Sequence, residues 1–233
     1  VHLTALALKS RLLQVASQRL ETNPAGLEFR SGRVHSADNG QELLGLGDLL
    51  ELTRPGKNFS DGAPGLEATE YFHTDQLTYT YGGHLVHLVV DPETGLVEIL
   101  RYLVLEDVGR AVNPLLVHGQ AVGAAAQGIG GTLLEELAYN EDGQLLTTTL
   151  LDYPLPSSME VPPVESIITE YSPSPLNPLG VKGAGEGGIV ACGAALANAV
   201  SHALSSLGIQ IKELPLTPDR VRRLIREAGE REN

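Results

Sequence analysis

The chain has 233 residues, 42% of them apolar and 19% charged, enough to bury one large core or two small ones and unlike the composition of a disordered chain. Its 16 basic and 29 acidic residues leave a formal charge of −13, which would repel a polyanion and excludes nucleic acid as a partner unless a basic patch exists. A single cysteine, Cys192, rules out a disulfide framework, a zinc knuckle or a protein-held iron–sulfur cluster within one chain.

Residues 3–21 read as an amphipathic helix, with Ala5, Leu8, Leu12, Val15 and Ala16 near one face and Asn23-Pro24 as the stop. Residues 27–34 suggest a small hairpin around Arg30-Ser31-Gly32, and residues 43–52 a short helix ended by Pro55-Gly56. Residues 57–66 are rich in Gly, Pro, Asn, Ser and Asp, as expected of a loop. The expected organisation is therefore a helical and hairpin part over 1–56, a loop over 57–66 and an α+β part over 67–233.

Residues 78–90 alternate as a strand does, the run Asp91-Pro92-Glu93-Thr94-Gly95 turns the chain, and 96–105 return as a partner strand. Asn113 and Pro114 supply an N-cap and a first-turn proline for a helix to about residue 137. Strands are expected at 144–151 and 165–170, separated and followed by Pro-rich coil. A glycine-rich turn over 180–188 leads into a helix over 189–207, and Thr217-Pro218 opens the last helix. The densest basic stretch, Arg220-Val221-Arg222-Arg223, is followed by Glu227, Glu230 and Glu232 and reads as a solvated helix. The fold class is α+β, with mixed sheets and packed helices.

No signal peptide is visible, because residues 3–20 are interrupted by Lys9, Arg11 and Arg19. The most apolar helix candidate, 121–134, contains Gln127 and four Gly and is too short to span a bilayer. The expectation is a cytoplasmic chain with no membrane partner. It begins at Val1 without Met, as a fragment or processed piece would.

Two segments carry chemistry. In Gly180-Val181-Lys182-Gly183-Ala184-Gly185-Glu186-Gly187-Gly188, a lone Glu stands amid five Gly where a helix opens. Backbone N–H groups at such a place suit an anion, and the acid is sterically open to a bound molecule. A ligand or catalytic site and a plain glycine-rich turn both fit. Gly183, Gly185 and Gly188 match G-x-G-x-x-G, but Pro173, Pro175 and Pro178 precede them where a dinucleotide fold needs a buried strand. In the second segment, Gln120 and Gln127 lie two turns apart among small residues, so they share one helix face. Tight helix packing and a flat ligand offered two amides are both open readings.

The remaining candidates read as structural. His84 and His87, three apart on a strand, point to opposite faces and make a poor metal pair. His73, His118 and His202 have no local partner in the sequence, Asp107 and Asp152 suit turn caps, Glu135-Glu136 suits a solvated helix face, and Cys192 reads as a small buried hydrophobe.

Taken in order, several pieces resemble the molybdenum hydroxylases, the family of xanthine dehydrogenase, aldehyde oxidase and aerobic carbon monoxide dehydrogenase. They are residues 83–91 with Thr94-Gly95, Asp107-Val108-Gly109-Arg110 with Asn113-Pro114, and Gly119-Gln120 with Gln127-Gly128-Ile129-Gly130. Asp152-Tyr153 with Leu155-Pro156, Lys182-Gly183-Ala184-Gly185-Glu186, Ala197-Asn198-Ala199 and Leu214-Pro215-Leu216-Thr217-Pro218 complete the set, which spans nearly the whole chain.

The resemblance implies the second molybdenum-cofactor domain of a large subunit, with Glu186 as catalytic base in a dry pocket. Gln120, Gln127, Gly128, Lys182, Gly183, Ala184 and Gly185 would line a molybdenum–pterin cofactor, either molybdopterin or its cytosine dinucleotide form. The metal would be held by the pterin, and no side chain here is expected to ligate it. The implied partners are the first cofactor domain, chains or domains carrying iron–sulfur clusters and FAD, and a small-molecule substrate: an aldehyde, N-heterocycle, purine or carbon monoxide. Gly187-Gly188 departs from the family, in which Pro commonly follows the base. The alternative expectation is a non-catalytic fragment or assembly module that folds without cofactor.

Overall fold

The computed structural model describes residues 1–54 and 65–231. The chain divides into two compact units, Val1–Asp75 and Gln76–Asn233. The expected loop over 57–66 lies outside the described residues except for Gly65 and Leu66.

The first unit opens with α1 (His2–Leu20), whose Leu12, Val15 and Ala16 are buried. Strands β1 (Leu27–Arg30), β2 (Arg33–Ser36) and β3 (Glu42–Gly45) form an antiparallel sheet in that order. Ser31 and Gly32 both adopt positive φ, the backbone a two-residue hairpin between right-twisted strands requires. Helix α2 (Leu46–Leu52) follows directly. The expected helix over 43–52 is thus half strand: Leu44 pairs with Val34, and the helix starts only where the Gly45 N–H is capped by the Asp48 carboxylate at 2.8 Å. Leu12, Val15, Leu27, Val34 and Leu49 form this unit's core.

The second unit is built on β4 (Tyr81–Val90), β5 (Val97–Asp107) and β6 (Val164–Thr169). β4 and β5 are antiparallel, while β6 lies parallel to β5, so the sheet is mixed. A parallel neighbour needs a crossover, and α3 (Pro114–Leu133) runs within that connection. Its start is as expected, with the Asn113 side chain accepting from Leu116 N–H. α3 and α5 (Cys192–Ala203) cover one sheet face, where Tyr102, Val104, Ala125, Ile129, Leu196 and Val200 are fully buried. α6 (Pro218–Arg231) adds Val221 to the same core, capped by the Thr217 hydroxyl.

The strand expected at 144–151 is absent. The segment carries one isolated bridge, Tyr139 to Leu145, and otherwise turns and coil. Its apolar Leu146, Leu150 and Leu151 are exposed, so alternation there has no buried face to serve. Glu135 and Glu136 lie beyond α3 and are engaged by the Tyr153 hydroxyl at 2.5 Å and by Arg220 at 3.5 Å, not left on a bare helix face. No helix among the described residues is long and apolar enough to cross a membrane, and no cluster of metal-ligating side chains occurs among them.

Candidate active site

Asp107 ends β5 and anchors everything around it. Its carboxylate accepts from Gly109 N–H (3.0 Å), Thr169 hydroxyl (3.0 Å), Tyr171 N–H (2.8 Å), Ser172 N–H (3.2 Å) and Lys182 ammonium (3.1 Å). Burial alone would raise this carboxyl; the hydrogen bonds, led by Gly109 N–H and Lys182, outweigh it and hold it at about 2. Gly109 is required twice. Its φ is +70°, and a Cβ there would lie 2.2 Å from the Gly180 carbonyl.

That close approach brings the glycine-rich turn onto the end of β5. Lys182 N–H donates to the Val108 carbonyl at 3.0 Å, and its ammonium sits 3.6 Å from the centre of the Tyr81 ring. The Lys182 and Asp107 side chains are only 5% and 9% exposed. The Lys182 ammonium is directed into this ion pair, which fastens the turn to the end of β5. Asn177 clamps the other side by exchanging two hydrogen bonds with Val181.

Beyond this anchor the turn is bare. Gly183, Gly185 and Glu186 are exposed and Ala184 is half-buried. A Cβ at Gly185 would meet nothing within 4 Å, and one at Gly183 only the Thr78 carbonyl at 3.6 Å. Glu186 precedes α4 (Gly187–Val190), a single turn that breaks at Ala191 before α5 begins. The expected continuous helix over 189–207 is therefore two helices and a terminal 3₁₀ turn (Ser205–Leu207). So short a helix has little macrodipole, which removes the helix-terminus argument for an anion. Nor do the described residues enclose Glu186 in a dry pocket.

The turn lies against α3. A Cβ on Gly188 would come 2.4 Å from the Ala121 carbonyl and 2.9 Å from the Ala124 Cβ. On either side of that crossing along the helix stand Gln120 and Gln127, both exposed, with Gly123 open to 4 Å between them. Spaced by three and seven residues, these positions share a face. Gly128 belongs to a different contact. It is buried, and a Cβ there would lie 2.5 Å from the Cys192 Cβ and 2.7 Å from its Sγ. Its place is the close crossing of α3 with α5 rather than an open lining.

Sequence reasoning missed the polar groups beneath the turn. His84 on β4 and Tyr102 on β5 meet on the helix-facing side of the sheet, with His84 Nδ1 2.7 Å from the Tyr102 hydroxyl and Nε2 3.2 Å from the Gly187 carbonyl. A carbonyl can only accept, so Nε2 carries the proton and Nδ1 accepts from Tyr102. Burial lowers the His84 pKa and favours this neutral form. Burial also pushes up the Tyr102 phenol and the Cys192 thiol, which is fully buried as expected. Glu106, on the same face of β5 as Tyr102 and Val104, is 1% exposed, and neither carboxyl oxygen has a hydrogen-bond partner among the described residues. Only strand register could have hinted at it, since Glu106 alternates with Asp107 and one of the two must face the core.

Comparison with known proteins agrees with this architecture. The chain is 41% identical over 221 residues to the 6-hydroxypseudooxynicotine dehydrogenase complex subunit gamma of Paenarthrobacter nicotinovorans, covering 93% of this chain and 27% of that one. It is 36% identical to the nicotine 6-hydroxylase large subunit of the same organism, covering 95% and 27%. The crystal structure of quinoline 2-oxidoreductase from Pseudomonas putida 86 superposes with a TM-score of 0.83 at 34% identity, over 96% of this chain and 28% of that one. The chain thus spans about a quarter of the length of these relatives. A sequence model of the molybdopterin cofactor-binding domain matches residues 1–162, and the chain belongs to that family.

Proposed function

We propose that this chain is the part of a molybdopterin-dependent hydroxylase subunit that supplies the catalytic base, Glu186, and one wall of the cofactor site. The carrying observation is that exposed Glu186 stands two residues before Gly188, which packs on α3 between exposed Gln120 and Gln127. The surface fits a flat, polar-edged pterin. The backbone is uncovered at Gly123 and Gly185 and nearly so at Gly183, and two amides can both donate and accept. Gln120, Gln127, Gly183, Ala184 and Gly185 would hold it, with Lys182 acting indirectly by fixing the turn.

When bound, the molybdenum–pterin group supplies a two-electron acceptor and an activated oxygen derived from water. This chain's contribution is proton handling. Glu186, on a turn held by the Asp107–Lys182 pair, would take a proton from the oxygen nucleophile as it attacks substrate carbon. Its carboxylate is exposed in this chain, so the dry environment that such a base benefits from must come from whatever covers the surface. A first cofactor domain is the natural cover, with iron–sulfur and FAD chains to carry electrons away. All three relatives described above are named for nicotine-type compounds or quinoline, which supports a nitrogen heteroaromatic substrate.

The test is Glu186→Gln in the complete complex. Molybdenum content should stay stoichiometric while dye reduction with a nitrogen heterocycle falls by at least about a thousandfold, on the scale of losing a general base and its positioning. Retained turnover removes Glu186 from the mechanism, and a wild-type complex empty of molybdenum favours the non-catalytic alternative.

A further inference from the structure

We propose that Glu106 and Gly187 form a size-matched pair in which the buried Glu106 carboxyl supports the Gly187 peptide from below and thereby sets the position of Glu186. Glu106 is then a positioning residue for the base, an inference that rests on the reading of Glu186 given above. The contact is direct. A Cβ built on Gly187 would lie 2.2 Å from Glu106 Oε1 and 2.6 Å from its carboxyl carbon. The Glu106 side chain therefore occupies the space that any other residue at 187 would need. The Gly187 carbonyl is held by His84 Nε2. One residue after Glu186, the backbone is thus gripped by two side chains from the sheet.

An acid is a costly way to fill space. Leucine would do it without desolvation, whereas a buried carboxyl without partners is disfavoured unless it stays neutral. The titratable side chains bonded to Gly187 or adjacent to it in the chain are His84 on β4 and Glu186 on the turn. Neither forms a hydrogen bond with the Glu106 carboxyl among the described residues. Burial raises the Glu106 pKa, which favours its neutral form. If Glu106 ionised, a second negative charge would stand against the peptide that carries Glu186.

Four variants of the full subunit, assembled in its complex, test the pair: Gly187→Ala, Glu106→Ala, Glu106→Gln and Glu106→Ala/Gly187→Ala. Thermal unfolding should show Gly187→Ala lowered and the double variant recovering most of that loss, because the new methyl enters the space the carboxyl vacated. Glu106→Gln keeps the shape. It should hold kcat within about threefold of wild type, whereas Glu106→Ala loses at least about tenfold from a displaced base. A thermal midpoint unchanged by Gly187→Ala overturns the proposal, as does a Glu106→Gln variant that loses as much kcat as Glu106→Ala. The thermal cycle needs no turnover, so it stands or falls separately from Glu186→Gln, which tests the base itself.

Discussion

Replacing Asp107 with Asn removes one charge from the most heavily bonded carboxylate at the site while preserving its shape. Asp107 accepts from five donors, three of them backbone N–H groups that fix the start of the coil after β6 and the bend after β5. Its pKa lies at about 2 instead of 3.8, a difference corresponding to about 2 kcal/mol of stability. The sign follows from the depressed value. The contribution is complete above the ordinary Asp range, about half remains at pH 3, and it is lost as pH falls through 2. Hydrogen exchange at pH 7 provides the assay. If the shift is expressed as local stability, the Tyr171 and Ser172 amides should exchange roughly 50-fold faster in Asp107→Asn. Thermal midpoints of wild type and variant should converge as pH is lowered from 7 to 3. Unchanged protection, or a gap that does not depend on pH, would refute the account of Asp107 as a charged hub.

Two further outcomes follow from the same geometry. Because burial lowers the His84 pKa, the unfolded chain binds the proton more readily, and stability should rise with pH up to the ordinary histidine range near 6.5. His84→Gln should flatten that slope in thermal unfolding between pH 5 and 7.5, and an unaltered slope would place the titration elsewhere. Gly128→Val should cost about 1–3 kcal/mol in chemical denaturation, since its branched side chain must displace Cys192 from the crossing of α3 and α5. A neutral Gly128→Val would show that this crossing is looser than the contacts imply.

The units that can be recognised from neighbours in sequence were legible. The hairpin of β4 and β5 follows from alternation broken by Asp91 to Gly95, and the starts of α3 and α6 from Asn113-Pro114 and Thr217-Pro218. In the site, the glycine-rich turn and the shared face of Gln120 and Gln127 could be read because both depend on spacing along one segment. The misreadings came where tertiary context overrides pattern. Residues 43–45 became a strand because β2 offered them partners, and residues 144–151 failed to because no strand did.

The sequence by itself determined the hairpin of β4 and β5, the starts of α3 and α6, the bare turn carrying Glu186 and the helix that bears two amides. Only the tertiary structure decided that Lys182 belongs to Asp107, that Gly128 serves a helix crossing and that Glu106 lies under Gly187. These pairs join residues 64 to 81 positions apart. Local propensity carries no information about contacts at that range, because they arise from the parallel pairing of β6 with β5 and the packing of α3 and α5 on one sheet face.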